Sequence, residues 1–138
     1  MGFESFGKVS FTSETKAAAF VDYLKQGKIM GTRCKSCGGT VYFPPKMDCP
    51  SCLNCDTEWV EVKNGGKLLA YSTVHYGPAG FEDDAPYTIA VAEFGDGLQI
   101  FSRLCKDIKA EEIKPGMKLN VVVVKLPGDR ISYEFQKA

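Results

Sequence analysis

Two Cys-x-x-Cys pairs, separated by eleven residues, constrain the fold of this 138-residue chain more than any other feature. The first pair is Cys34 with Cys37, and the second is Cys49 with Cys52. Two intervening residues let both thiolates of a pair point the same way, so the two pairs can close on one tetrahedral metal ion. Four protein ligands leave no open position for substrate or activated water, so such a metal stabilises the fold without catalysing a reaction. The sequence therefore predicts a structural zinc ribbon and no catalytic residue.

The identity of the metal and of its fourth ligand is left open by the spacing. Four thiolates also accept iron in a rubredoxin-type site, and the pairs could instead form disulfides or a redox centre. Cys55 follows Cys52 by three residues, so these two could clamp the metal as an alternative pair. We favour Cys49 with Cys52, because Pro50 between them gives the rigid turn typical of a metal-binding loop. Cys55 is then a spare thiol.

Composition indicates an ordinary globular protein of one or two modules. Hydrophobic residues make up 44% and charged residues 25%, and no apolar run approaches the roughly 18 residues of a membrane span. The first residues lack the layout of a signal peptide, so a cytoplasmic location without membrane attachment is expected. Residues 8–46 hold seven basic against two acidic side chains, whereas residues 56–112 hold five against eleven. This bias could attract an anionic ligand to the first section, although a charge bias of this size is more often a solvated face.

An N-terminal helix and a short hairpin surround the cysteines. Thr12 and Ser13 are suited to cap a helix that Gly27 ends, with apolar residues recurring at helical spacing between them. Its narrow apolar stripe must pack on its own chain or on a partner. Residues 28–33 are predicted to form a strand, and residues 40–43 a second β-favouring segment that makes the ribbon a hairpin.

From Gly65 onward the pattern changes to strands. The predicted strands are residues 67–76, 87–94, 98–104, 118–126 and 131–136, with a helical turn near residues 110–113 between the third and fourth. This is the layout of a five-stranded OB barrel. The fold is therefore predicted to be mainly β, with the helix and a rubredoxin-like zinc ribbon in residues 1–62 and an OB fold in residues 63–138.

Several side chains outside the ribbon are candidates for function. Residues 77–86 connect the first two barrel strands and could serve as a binding loop. Phe81 in this connection could contact a ligand or fold onto the barrel end. His75, the single histidine, is interpreted as a barrel-surface residue, because its sequence neighbours include no cysteine or carboxylate pair that would form a dyad. Cys105 is interpreted as a packed thiol, and Trp59 as packing between the ribbon and the barrel.

The order of these parts resembles the acyl-CoA-associated zinc-ribbon and OB-fold family, once catalogued as a domain of unknown function. The resemblance covers nearly the whole chain, and its motifs are Arg33-Cys34-x-x-Cys37-Gly38, Phe43-Pro44-Pro45, Cys49-Pro50-x-Cys52, Trp59, Pro86-Tyr87, Asp96-Gly97 and Pro115-Gly116. It implies a small non-catalytic partner of a thiolase-like or hydratase-like enzyme that binds acyl-CoA or helps to seat it. Some relatives belong to the thiolase that acts on 2-benzoylsuccinyl-CoA. One departure is Leu53-Asn54-Cys55, where the family more often has glycine and a small polar residue.

The implied role leads to specific expectations. If CoA binds, its phosphates should seek the basic N-terminal section, with Lys28, Arg33, Lys35 and Lys46 as candidate contacts. The expected partners are a thiolase-like catalytic subunit and acyl-CoA. Single-stranded nucleic-acid binding is the alternative, since zinc ribbons and OB barrels both serve it. Zero net charge and an acidic barrel section make this alternative less favourable.

Overall fold

The computed structural model describes residues 3–8, 15–38, 41–95 and 97–138. Over these residues the chain forms one α-helix, seven β-strands and two short 3-10 turns at Phe3–Ser5 and Ala110–Glu112. The helix and strands are α1 (Ala19–Lys25), β1 (Met30–Cys34), β2 (Thr57–Glu61), β3 (Gly66–Val74), β4 (Tyr87–Glu93), β5 (Gln99–Arg103), β6 (Lys118–Leu126) and β7 (Arg130–Lys137).

The N-terminal helix is shorter than the sequence predicts. It begins at Ala19 after an Ala18 cap that makes no side-chain hydrogen bond, and the predicted cap at Thr12 and Ser13 lies outside the described residues. Its end agrees with the prediction, because Gly27 adopts φ +81° and the chain turns there.

The apolar stripe of α1 packs on its own chain. Phe20, Val21 and Leu24 are buried, and the helix contacts β7 and β1. Of the two predicted solutions, docking on the same chain is the one observed.

The ribbon sheet pairs different segments from those predicted. β1 runs antiparallel to β2, with Met30 opposite Glu61 and Cys34 opposite Thr57. The predicted pairing with residues 40–43 is reduced to one antiparallel bridge: Tyr42 and Thr32 exchange backbone hydrogen bonds of 2.7 Å and 3.1 Å, and Thr40 lies outside the described residues. The following prolines explain this, because they have no N–H with which to continue a ladder.

The remaining five strands form the predicted OB barrel. Their order in the sheet is β5-β4-β3-β6-β7, and a parallel bridge between Leu104 and Phe135 joins its two ends. Cys105 reinforces this closure by donating its N–H to the carbonyl of Phe135 at 2.8 Å. The 3-10 turn at Ala110–Glu112 lies between β5 and β6, where the sequence predicts it.

One hydrophobic core joins the ribbon side to the barrel. The ring centroid of Phe43 lies 5.6 Å from that of Phe20 on α1 and 5.1 Å from that of Tyr133 on β7. Trp59 on β2 is half-buried against the core, and its ring lies 5.3 Å from that of Tyr23. The division into residues 1–62 and 63–138 stays a prediction. Within the described ranges, no helix combines the length and the apolar character that crossing a bilayer requires.

Candidate metal centre and barrel groove

The two Cys-x-x-Cys pairs bring four sulfur atoms together. The Sγ atoms of Cys34, Cys37, Cys49 and Cys52 all lie within 4.8 Å of one another. The Cys34–Cys52 and Cys37–Cys49 sulfur pairs are 3.5 Å and 3.7 Å apart. Zinc–sulfur bonds of about 2.3 Å in tetrahedral geometry place sulfurs roughly 3.8 Å apart, so this donor set fits zinc. These separations are far longer than the S–S bond of about 2.05 Å in a disulfide.

Backbone N–H groups in each turn stabilise the first thiolate of the pair. The N–H of Cys37 and then that of Ser36 lower the pKa of Cys34, against the opposing effect of burial. The N–H of Cys52, followed by that of Ser51, lowers the pKa of Cys49 to about 6. The two turns therefore prepare equivalent anionic ligands.

Crowding of the four sulfurs has the opposite effect on Cys52. The N–H of Asn54 lowers its pKa, but the neighbouring thiols Cys34, Cys49 and Cys37, together with burial, outweigh this and raise it to about 11. Four thiolates at these separations repel one another, and a divalent cation removes that repulsion. The arrangement therefore has the chemistry of a closed metal site.

The residue after each pair adopts the same left-handed backbone conformation. Gly38 has φ +59° and Leu53 has φ +61°. Gly38 donates its N–H to the carbonyl of Cys34 at 3.0 Å, and Leu53 donates to that of Cys49 at 2.9 Å. Leu53 thus occupies a position that favours glycine, and its side chain is 84% exposed.

Cys55 lies apart from this cluster. Its side chain is exposed, and among the described residues the cluster of close sulfurs consists of the other four cysteines of the ribbon. The alternative pair of Cys52 with Cys55 is therefore not brought together with the first pair.

The four candidate phosphate contacts lie on the ribbon side of the chain, and three of them already interact with neighbouring side chains. Arg33 donates to Glu58 through Nη2 at 2.9 Å, and Lys35 Nζ lies 3.6 Å from a carboxylate oxygen of Asp56. Lys46 Nζ lies 5.1 Å from the ring centroid of Tyr42. Lys28 is exposed and forms no ion pair with another described residue.

A groove on the barrel is the feature that sequence reasoning missed. It has a volume of about 560 Å³ and lies over the outer face of β4 and β5, between the 77–86 connection, the β6–β7 turn and the N-terminal segment. Phe81 lines it and is half-buried, so this loop residue folds against the barrel as well as facing the groove. The available signal was the apolar character of residues 87–94 on both faces of the strand.

Neither remaining candidate lies in the groove or the metal cluster. His75 is exposed just after β3. Cys105 is half-buried against the core, as interpreted from the sequence. The N–H of Asp107 lowers the pKa of Cys105, but burial and the charges of Glu134 and Asp107 outweigh it and raise the pKa overall.

Two family models match consecutive parts of the chain. Residues 21–55 match the rubredoxin-like zinc ribbon domain of ChsH2, and residues 59–124 match the C-terminal OB-fold domain of ChsH2. The matched segments correspond to the cysteine cluster and to most of the barrel.

Curated relatives extend over most of the chain. A DUF35 domain-containing scaffold protein of Methanocaldococcus jannaschii is 41% identical over 103 residues, which are 73% of this chain and 71% of the relative. The benzoylsuccinyl-CoA thiolase subunit BbsA of Thauera aromatica is 32% identical over 127 residues, covering 90% of this chain and 83% of BbsA.

A solved structure shares the arrangement of ribbon and barrel. A chain of the Ltp2-ChsH2(DUF35) aldolase superimposes with a TM-score of 0.76 at 25% identity, covering 93% of this chain and 98% of that one. A DUF35 protein of unknown function from Sulfolobus solfataricus, at 21% identity and a TM-score of 0.56, has the same fold.

Proposed function

This chain belongs to the DUF35 family of ChsH2-type zinc-ribbon and OB-fold proteins, and we propose that it is a non-catalytic accessory subunit of a thiolase-like acyl-CoA enzyme. In this role it stabilises the catalytic partner and helps to seat acyl-CoA. The observation that carries the proposal is the likeness to BbsA, a named thiolase subunit, over nine-tenths of the chain. Relatives named as scaffold proteins support the same non-catalytic reading.

The proposed metal is a structural zinc ion held by Cys34, Cys37, Cys49 and Cys52. The support is the spacing of their sulfurs, which suits tetrahedral coordination, and the family's zinc-ribbon description. When bound, zinc supplies folding free energy, because four thiolates leave no coordination position for a substrate. A reducing cytoplasm would keep these cysteines available as ligands.

The phosphates of acyl-CoA are proposed to contact the ribbon through Lys28, Arg33, Lys35 and Lys46. All four are at least partly exposed, and their exposure supports a surface contact. Acids on β2 and beside it already pair with Arg33 and Lys35, so a phosphate must compete with these ion pairs. Lys28 and Lys46 are therefore the stronger candidates.

Single-stranded nucleic-acid binding is the less favoured reading. Such binders combine a basic groove with aromatic side chains on which bases stack. This chain has no net charge, and the relatives named above are thiolase subunits or scaffolds.

Co-expression with the thiolase-like protein encoded nearest to this chain tests the accessory role. We expect a complex of defined stoichiometry on size-exclusion chromatography, and acyl-CoA turnover that requires both chains. The purified single polypeptide should have no thiolase activity. Turnover by that polypeptide, or full activity of the catalytic protein without it, would overturn the proposal.

A charge-neutralising variant tests the proposed phosphate contacts in the assembled complex. Replacing the four ribbon cations by methionine should raise the Kd for acyl-CoA about tenfold or more, because charge-assisted hydrogen bonds are lost. A matched variant replaces four exposed lysines of the barrel section and should bind acyl-CoA normally: Lys63, Lys67, Lys118 and Lys125. Equal affinity of the two variants would remove the ribbon residues from the proposal.

A further inference from the structure

The floor of the barrel groove is an outward-facing apolar surface. On β4 and β5, Ala90, Ala92 and Ile100 point into the core, so alternation along the strands turns Ile89 and Phe101 outward. Phe101 is 59% exposed. Apolar side chains clustered on the water-facing side of a sheet are unfavourable unless something covers them, and they mark binding surfaces.

The walls make this surface concave. Phe6 from the N-terminal segment, Phe81 from the 77–86 connection and Leu126 at the end of β6 all line the groove. The volume of about 560 Å³ falls in the range typical of small-molecule sites. It is large enough for a ring-sized apolar group with a short chain.

The charged groups around the groove leave it positive. Lys8 and Arg103 both approach the same oxygen of Asp84, Oδ2, at 3.3 Å and 3.2 Å. Arg130 instead donates to the backbone carbonyls of Gly7 and Phe6. Among the described residues that line the groove, three cations therefore face one carboxylate, which favours an anionic ligand.

Asp84 keeps the two cations at the groove edge. Burial acts to raise the pKa of Asp84, but the hydrogen bonds and charges of Arg103 and Lys8 outweigh it and hold the pKa below its usual value. An ionised Asp84 occupies one hydrogen-bond donor of Arg103 and one of Lys8. Arg103, with several N–H donors in a planar group, retains donors for a second carboxylate.

We propose that this groove binds an organic anion in which a ring-sized apolar group is joined by a short chain to a carboxylate. The apolar group lies on Ile89 and Phe101, and the carboxylate accepts hydrogen bonds from Arg103. The inference rests on the proposed accessory role in one respect: in the enzyme complex this anion would be the acyl part of a CoA thioester that also carries a free carboxylate. The corresponding free acid, which has the same apolar group and carboxylate, would bind to the groove of the isolated chain.

Titration of the zinc-loaded full-length chain with three probes tests the recognition chemistry. The probes are 4-phenylbutanoate, 4-phenylbutan-1-ol and butanoate, measured by calorimetry and by backbone amide shifts in NMR spectra. The acid with the ring should bind roughly tenfold more tightly than either the alcohol or butanoate, because each lacks one of the two contacts. Its amide shifts should be centred on β4 and β5.

Two pairs of variants separate the apolar and the charged contact. Phe101→Ser should weaken 4-phenylbutanoate binding roughly tenfold, whereas Tyr76→Ser removes an aromatic ring that is 78% exposed outside the groove lining and should have no effect. Arg103→Met should abolish the preference for the acid over the alcohol. Lys67→Met, an exposed cation outside the groove lining, should preserve that preference.

Several results would overturn the assignment. They are equal affinity for the acid and the alcohol, unchanged binding by Phe101→Ser, or displacement of the acid by an oligo-dT octamer, which would indicate a nucleic-acid surface. If the acid binds but no thiolase-like complex forms, the groove stands and the accessory role falls. If the active complex forms but the isolated chain does not bind the acid, the accessory role stands and the groove assignment falls.

Discussion

Leu53 is predicted to store backbone strain in the second metal-binding turn. It has φ +61°, close to the +59° of Gly38 at the equivalent position of the first turn. For a residue with a Cβ, the left-handed conformation costs about 1–2 kcal/mol. Replacing Leu53 by glycine removes this cost.

Two smaller effects oppose the gain. Glycine makes the unfolded chain more flexible, which costs about 0.5–1 kcal/mol. Loss of the leucine side chain costs at most about 0.3 kcal/mol, because that side chain is 84% exposed in the folded protein. Leu53→Gly should therefore raise the free energy of unfolding by about 0.5 kcal/mol, which corresponds to a Tm increase of about 2 °C.

Thermal denaturation of the zinc-loaded protein, at one fixed zinc concentration, measures this effect. The mirror variant Gly38→Leu is the control: among the described residues no atom that is not a chain neighbour lies within 4 Å of the Cβ it would add, so its cost is conformational. By the same terms with the sign reversed, it should lower the free energy of unfolding by about 0.5 kcal/mol. An unchanged or lower Tm for Leu53→Gly, beside a destabilised Gly38→Leu, would refute the argument that Leu53 is strained.

Three further predictions concern the metal, the ribbon and the groove edge. Elemental analysis should find about one zinc per chain, and chelation should lower the Tm; a metal-free protein with an unaltered Tm would contradict the zinc assignment. The fully buried Thr32 hydroxyl donates to the Lys46 carbonyl at 2.7 Å and accepts from the Lys46 N–H at 2.8 Å, so Thr32→Val should lower the free energy of unfolding by about 2 kcal/mol. Thr32→Ser keeps the hydroxyl and loses one buried methyl group, so it should lower that free energy by only about 1 kcal/mol; equal losses for the two variants would contradict the hydrogen-bond argument. Asp84→Asn should destabilise the protein by less than about 1 kcal/mol at pH 7. Because the pKa of Asp84 is lowered in the folded state, this destabilisation should be complete above the unfolded pKa of about 3.9 and should shrink as the pH falls below that value; a difference in Tm of the same size at pH 7 and at about pH 2 would contradict it.

The sequence predicts the barrel well because its strands carry local signals. Turns at Gly95, at Pro115 and at Pro127 mark the ends of strands that the structure places within one or two residues of the predicted bounds. The OB order then follows from five strands with a short helical turn after the third. These features need no knowledge of distant contacts.

Strand pairing in the ribbon was not predictable in the same way. Residues 40–43 and β2 are both β-favouring, and either could pair with β1 from their sequence alone. In the structure β2 and Tyr42 lie beside β1, one on each side: β2 forms the full ladder, which the hydrogen bond from the N–H of Lys35 to the carbonyl of Asp56 extends at 2.9 Å, whereas Tyr42 makes a single bridge to Thr32. The sulfur cluster could be predicted, because two Cys-x-x-Cys pairs can share one metal ion whichever segment pairs with β1.

The barrel groove was not predicted, because an apolar strand face forms a binding groove only if other segments of the chain surround it without covering it. Outward apolar residues on β4 predict burial, but they do not say whether protein or ligand covers them. The structure leaves Phe101 mostly exposed and surrounds it with walls from three distant segments. Such a surface becomes recognisable only when those segments are placed together.

The metal site and the groove are joined by one aromatic cluster. Phe43, which follows the first metal-binding turn, packs 5.1 Å from Tyr133 between ring centroids, and Tyr133 lies 6.1 Å from Phe6. Phe6 and Tyr133 both line the groove. Because closely packed rings cannot shift independently, the position of the ribbon helps to fix one wall of the groove. A structural metal in the ribbon can thereby support a binding surface on the barrel without contacting the ligand.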